Sequence, residues 1–550
     1  MTATATPAIG RTARPAAGGA LAGTGLLLRF ALRRDRVRIP VWLAALVLGT
    51  VWPVTAFREV YPTEAARQAA AATMNSPAGL AFSGPAHYLS DYHYGSMVSH
   101  QVLGFLAIFV GIMSVLLVIR HTRAEEEAGR AELIRAGVVG RHAPLAAALI
   151  LATAVNLALG LLLTVAVGST GLEGVTWEGS LLYGAANTAA GITFAGVAAV
   201  TAQLTEHSRG ASGMGLAVVG AAYLVRAAGD SADSGLSWAS PIGWIQQTFA
   251  YLDDRWWPLL LNLSTAAVLT AIGFRLSLRR DLGAGMRAAR RGRPAASPML
   301  TTPLGFALRL HRGMLIGFAA GMVALSASYG TFLGDIEEMF RDVELLRNAM
   351  AQLGGATVTD LYVTMVMTIL AIVAAIHVVL TTLRPRSEET SGRAASVLAT
   401  GLSRTGWLGS HLAVAVVGGP VLTVLSGLAF AAAGAPVAED GGLLGKLLAA
   451  SAAYTPALWV TAGFAVALVG WLPRATALAW VLVAYAGVIG YFGMILDIPD
   501  WLTNLSPFSH IPRLPVDEFR WAPLLILTAI AAGLIAAGLY GFRRRDLDSK

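Results

Sequence analysis

Apolar residues in this chain come in unbroken runs. Twelve stretches, at about 39–57, 101–119, 143–168, 180–203, 210–228, 257–275, 313–333, 359–383, 408–433, 444–471, 474–496 and 521–542, carry most of them. About 20 apolar residues cross the hydrocarbon core of a bilayer as a helix. The pattern predicts an all-α polytopic membrane protein with twelve transmembrane helices.

The polar breaks repeat. Arg123–Arg141 and Arg386–Arg404 form two charged islands, each after the second run of its half. At an offset of 263, Arg123, Glu125, Glu126, Gly129, Arg130, Ala131, Ala136 and Arg141 meet Arg386, Glu388, Glu389, Gly392, Arg393, Ala394, Ala399 and Arg404. Other breaks recur in the same order. Phe30-Ala-Leu-Arg33 returns at Phe306–Arg309, Ser240-Pro241 at Ser506-Pro507, Arg255-Trp-Trp-Pro258 at Arg520-Trp-Ala-Pro523, and Arg279-Arg-Asp-Leu282 at Arg544-Arg-Asp-Leu547. Two parallel six-helix repeats, related by a pseudo-two-fold axis along the membrane normal, are expected. The expected layout is a disordered tail (1–25), a first six-helix half (26–275), a basic linker (276–303) and a second half (304–550). No cleavable signal peptide is expected, because 1–25 has no apolar core.

Composition agrees. Charged residues are 13% of the chain, against about 25% in soluble domains. The formal net charge of +8 does not point to nucleic acid. Placing both termini, both islands, the linker and the short turns at Arg209 and Arg474 on one side puts 31 of the 40 basic residues there, with 11 of the 32 acidic ones. The positive-inside rule makes that side cytoplasmic, in a plasma membrane. Cysteine is absent, which excludes disulfides and thiolate metal sites.

Each island reads as a short helix on the cytoplasmic face. Glu126 precedes Arg130, and Glu389 precedes Arg393, in the favourable order for an i,i+4 pair. A glycine inside each, Gly129 and Gly392, implies close backbone approach or a bend. The basic stretches with Arg33 and Arg36, and with Arg309 and Arg312, read as interfacial amphipathic segments. His377 is ionisable and lies within a run, which makes it a candidate intramembrane polar site. His87, Asp91 and His93 stand close together in the outer segment 58–99; a solvated loop is expected there, with no metal site.

A P-loop needs Gly-x-x-x-x-Gly-Lys-Ser/Thr to hold nucleotide phosphates. The chain has two lysines, Lys446 and Lys550, and neither stands in such a motif. No enzymatic activity of that kind is expected. A proton-coupled multidrug antiporter of the major facilitator type is the alternative. It needs carboxylates within the membrane, and the runs have none near a midplane. A membrane-embedded transferase is a third class, but the outer Asp230, Asp233, Asp253 and Asp254 form no recognisable constellation.

Two six-span halves, each with an opening basic segment and a Glu-Glu-x-x-Gly-Arg-Ala island, resemble the type-2 ABC exporter permeases. Within them the chain is similar to the actinobacterial fused-halves group labelled tetronasin or polyketide antibiotic exporters. That resemblance implies efflux of an apolar or amphipathic compound, antibiotic-like or lipid-like. It implies a separate P-loop ATPase subunit, two copies per chain, that holds the ATP and Mg²⁺; this chain would bind no cofactor. The ATPase-coupling residues would be Arg123, Glu125, Glu126, Gly129, Arg130 and Arg141, with Arg386, Glu388, Glu389, Gly392, Arg393 and Arg404 in the second half. The basic segments would be connecting helices.

Overall fold

In the computed structural model, residues 19–130, 137, 139–280, 285–286, 294–334, 336, 357–436, 442–492 and 499–547 are described. Residues 1–18 of the expected tail, 281–284 and 287–293 of the expected linker, and 131–136 and 138 of the first island lie outside them. Among the described residues all regular structure is helical. The chain divides into two units, Met1–Arg291 and Gly292–Lys550.

The first unit opens with α1 (Thr24–Arg34) and α2 (Arg38–Val60), separated by a turn at Asp35. Order begins before residue 25: the carbonyls of Ala20 and Ala22 accept hydrogen bonds from His142 and Gly140. Next come α3 (Glu64–Met74) and α4 (Pro77–Phe82), capped by the Thr63 and Ser76 hydroxyls. After these run α5 (Gly104–His121), α6 (Arg123–Glu127), α7 (Ala143–Gly168), α8 (Trp177–Leu204), α9 (Ser208–Ser231), α10 (Pro241–Gln246) and α11 (Leu259–Arg279). Helix α8 is the core, packed by α5, α7, α9 and α11. Small residues permit this, as is usual where lipid supplies no hydrophobic drive between helices. Gly160 of α7 faces Gly184 of α8 so closely that a Cβ on either would collide with the other's carbonyl.

The segment between α2 and α5 is not a solvated loop. Tyr88, Tyr92 and Tyr94 are buried. Tyr88 donates to the Gln246 carbonyl at 3.0 Å, and Tyr92 meets His100 at 3.0 Å. Alternating polar and aromatic residues concealed a packed cap. Asp230 also departs from the outer-loop expectation. It ends α9, buried, and pairs with Arg226 at 3.4 Å.

The second unit contains α12 (Pro303–Gly330), α13 (Val358–Thr390), α14 (Arg393–Leu398), α15 (Arg404–Gly434), α16 (Leu443–Ala453), α17 (Thr455–Trp471), α18 (Leu478–Phe492) and α19 (Trp521–Arg544). Helix α17 packs on α13, α15 and α19. Eleven helices among the described residues are long and apolar enough to cross a membrane, α16 and α17 counting as one. The expected eleventh run holds the shorter α18, so its described part falls below that length. Exposed Trp177, Trp256, Trp257, Trp501 and Trp521 near helix ends suit an interfacial aromatic belt.

Candidate functional site

Both islands fold by the same local rule. In the first, α5 breaks at Thr122 and α6 runs only to Glu127. Gly129 then takes φ +71°, a left-handed conformation that L side chains avoid. In the second, α13 continues to Thr390 and Gly392 takes φ +76°. A Cβ on either glycine would meet nothing within 4 Å. Among the described residues these glycines serve the bend, and no neighbouring segment requires a close approach there.

The bend overturns the expected i,i+4 pairs. With the helix broken, Arg130 turns back onto Glu125, Nε to Oε2 2.7 Å, and not onto Glu126. Arg393 likewise meets Glu388 at 2.7 Å, and not Glu389. Hydrogen bonding to Glu125 raises the Arg130 guanidinium pKa above its ordinary value. Glu125 is also paired with Arg34, at the end of α1. The Arg130 and Arg393 side chains remain about half exposed.

The second glutamate of each island has other partners. Glu126 accepts from Arg123 at 2.6 Å and from Arg280 through both oxygens, at 2.7 and 2.6 Å. Arg280 directly follows α11 and also donates to Gln203 at 2.6 Å. Glu389 pairs with Arg386 at 3.2 Å and accepts from Arg545, which directly follows α19, at 2.7 and 2.6 Å. Arg141 donates to the carbonyls of Ser277, Leu278 and Arg280, and Arg404 to that of Arg545. Each island is thus bolted to the end of its unit's last helix. The bolt is the second arginine of the repeated Arg-Arg-Asp-Leu motif. That repetition was visible in the sequence, though it did not say which carboxylate the arginine meets.

Two further features lay outside the sequence reading. Asp35, buried in the turn between α1 and α2, accepts from Arg120 at 3.0 Å and pairs with His121 at 2.6 Å. A lone acid among five arginines in 29–38 was the available signal. At the offset of 276, Asp35 corresponds to His311, which is buried and lies 2.9 Å from His411. No turn follows it. Arg309 and Arg312, exposed, therefore belong to the continuous α12 and not to a helix of their own. Arg33 and Arg36 are exposed at the end of α1 and in the turn after it.

His377 is buried on α13, with Nε2 3.4 Å from the Thr381 hydroxyl and its ring edge-on to Phe318. The outer histidines point to separate tasks. His93 Nδ1 accepts from the Gly95 and Ser96 amides, whereas His87 meets Asp253 at 2.9 Å. That hydrogen bond, with Arg255 nearby, holds the Asp253 carboxyl below its usual range.

Bundles of membrane-length helices around Ala- and Gly-rich central helices, with ion-paired polar platforms at helix ends, define a multi-pass membrane protein. Its class is the transport permeases, as similarity to known proteins establishes. The family described as Multidrug efflux system permease Rv1217c, C-terminal domain, matches residues 27–276 and 300–543, and the chain belongs to that family. It is 41% identical over 541 residues to the Multidrug efflux system permease protein Rv1217c of Mycobacterium tuberculosis (strain ATCC 25618 / H37Rv), covering 97% of each chain.

Proposed function

We propose that this permease is the membrane subunit of an ATP-driven exporter of the type-2 ABC kind, close to the fused-halves polyketide and antibiotic exporters. Its ATPase is a separate subunit, two copies of which dock on the two islands and hold the ATP and Mg²⁺. The chain moves an apolar or amphipathic compound outward across the plasma membrane, with both termini, islands and linker cytoplasmic. The two halves act as parallel repeats.

The observation that carries this reading is the matching construction of the islands. Glu126–Arg280 and Glu389–Arg545 fix each island to a helix end, while Arg130 and Arg393 stay accessible. A topology signal alone would need arginines, but not the same ion pairs twice. A force-transmitting platform needs such rigidity, because a partner's motion must reach the helices without being absorbed by a floppy loop. The name of the Mycobacterium tuberculosis relative supports the outward direction. The absence of a P-loop from the sequence supports a separate ATPase.

The test is reconstitution in liposomes with and without the candidate ATPase. Transport should require ATP and the added subunit, and native mass spectrometry should find two ATPase copies per chain. Efflux by the chain alone, driven by a proton gradient, would overturn the proposal.

A further inference from the structure

In the first unit, a cavity of about 340 Å³ is lined by residues from the charged ends of α2 and α5. That size is in the range of small-molecule sites, roughly 300–1,000 Å³. One end is polar, lined by Asp35, Arg38 and Arg120, with Ser212 of α9 beside them. The walls are apolar, with Trp42 from α2 and Leu116 from α5. The α5 wall continues from Arg120 to Met113, about 10 Å at ~1.5 Å per residue.

Charge is unbalanced there. Two guanidiniums line the cavity and one carboxylate answers them. Asp35 is occupied by Arg120 at 3.0 Å and by His121 at 2.6 Å. Arg38 is exposed, has no hydrogen-bond or ion-pair partner among the described residues, and lines the same cavity as Arg120. The Ser212 hydroxyl is likewise without a partner among the described residues. Basic pockets between helices, at the level where apolar chain meets polar head, recognise anionic heads. The apolar walls add a place for a tail.

We propose that this cavity binds an amphiphilic anion. Its carboxylate or phosphate sits between Arg38 and Arg120, accepting also from Ser212, and its apolar body lies along Trp42 and Leu116. The same chemistry is offered by a transported acid and by an anionic bilayer lipid. The site needs no ATPase partner to bind, so it stands or falls apart from the transport reading.

The test uses the full chain in phosphatidylcholine nanodiscs, titrated with 5-doxyl-stearate. The Trp42 signal is the quenching difference between the parent and Trp42→Phe. Saturable quenching is expected. Arg38→Gln should weaken it tenfold or more, and Leu116→Trp, which fills the cavity, should abolish it. The uncharged methyl ester of the same probe should give no saturable Trp42 quenching. Equal quenching by acid and ester, or an unchanged affinity in Arg38→Gln, would overturn the proposal; the exposed Arg38 can be replaced without breaking a hydrogen bond or ion pair among the described residues. Adding phosphatidylglycerol to the nanodisc separates the sources. Displacement of the probe identifies a lipid headgroup site, and retention identifies a site for a free amphiphilic acid; either supports the anion site.

Discussion

Arg280 grips both carboxylate oxygens of Glu126 across 154 residues of chain, at 2.7 and 2.6 Å. Arg280 has just left α11, and Glu126 sits in the one-turn helix after α5. The pair therefore joins the ends of two membrane-length helices through a polar island between them. Arg545 and Glu389 repeat it over 156 residues in the second unit. A planar guanidinium matches a carboxylate at two points, which fixes direction as well as distance. Lysine could not substitute, since its ammonium is a point charge on a flexible stem.

Removing one member of this pair should destabilise the fold. Glu126→Ala leaves Arg280 and the buried Arg123 short of a carboxylate, and breaking a buried pair in this way costs about 3 kcal/mol or more. Replacing Glu126 and Arg280 together by methionine should cost less than the sum of the single changes. Unfolding midpoints of the purified variants in detergent check this. Additive losses would mean that the two side chains do not interact.

Arg130→Ala and Arg393→Ala should separate docking from stability. Each side chain is about half exposed, and exposed pairs contribute under about 1 kcal/mol. Glu125 keeps Arg34, and Glu388 keeps Arg384 at 3.6 Å. Thermal stability should stay near that of the parent. Affinity for the proposed ATPase subunit should fall by about tenfold or more, since truncating one partner of a desolvated pair costs about 2 kcal/mol or more. Unchanged affinity in the double variant would remove the islands from the docking surface.

Gly129→Ala and Gly392→Ala should each cost about 1–2 kcal/mol, the penalty for an L residue in the left-handed region. Nothing among the described residues stands within 4 Å of the added Cβ, so the cost there is backbone conformation. Asparagine, which tolerates that region, should recover most of it. If alanine and asparagine proved equally harmful in a chemical unfolding series, the bend would not be what the glycines supply.

Gly184→Ala should be more damaging than its single methyl suggests. The Cβ would strike the Gly160 carbonyl, and overpacking costs about 1–3 kcal/mol. Gly213→Ala on α9 meets open space and should be neutral or stabilising. Yields of monodisperse protein and unfolding midpoints for the two variants provide the comparison.

The sequence alone located the eleven membrane-length helices found among the described residues, because a bilayer leaves little choice. Every backbone polar group in hydrocarbon must be satisfied within its own segment, so an apolar run of sufficient length is a helix. It also displayed the paired islands, the paired glycines and the paired Arg-Arg-Asp-Leu motif. Tertiary structure decided who meets whom. Glu126 has Arg130 four residues away and Arg280 far off, and local spacing favoured the near one. The left-handed turn at Gly129 handed Arg130 to Glu125 and left Glu126 to the end of α11. Asp35 reads as one acid in a basic stretch until α5 brings Arg120 and His121 to it. The segment between α2 and α5 looks solvated until Tyr88 and Tyr92 find Gln246 and His100. Helix formation depends on hydrogen bonds four residues apart, which a sequence displays. Ion pairs over 150 residues apart depend on which helix ends meet, and that is settled only when the whole bundle has packed.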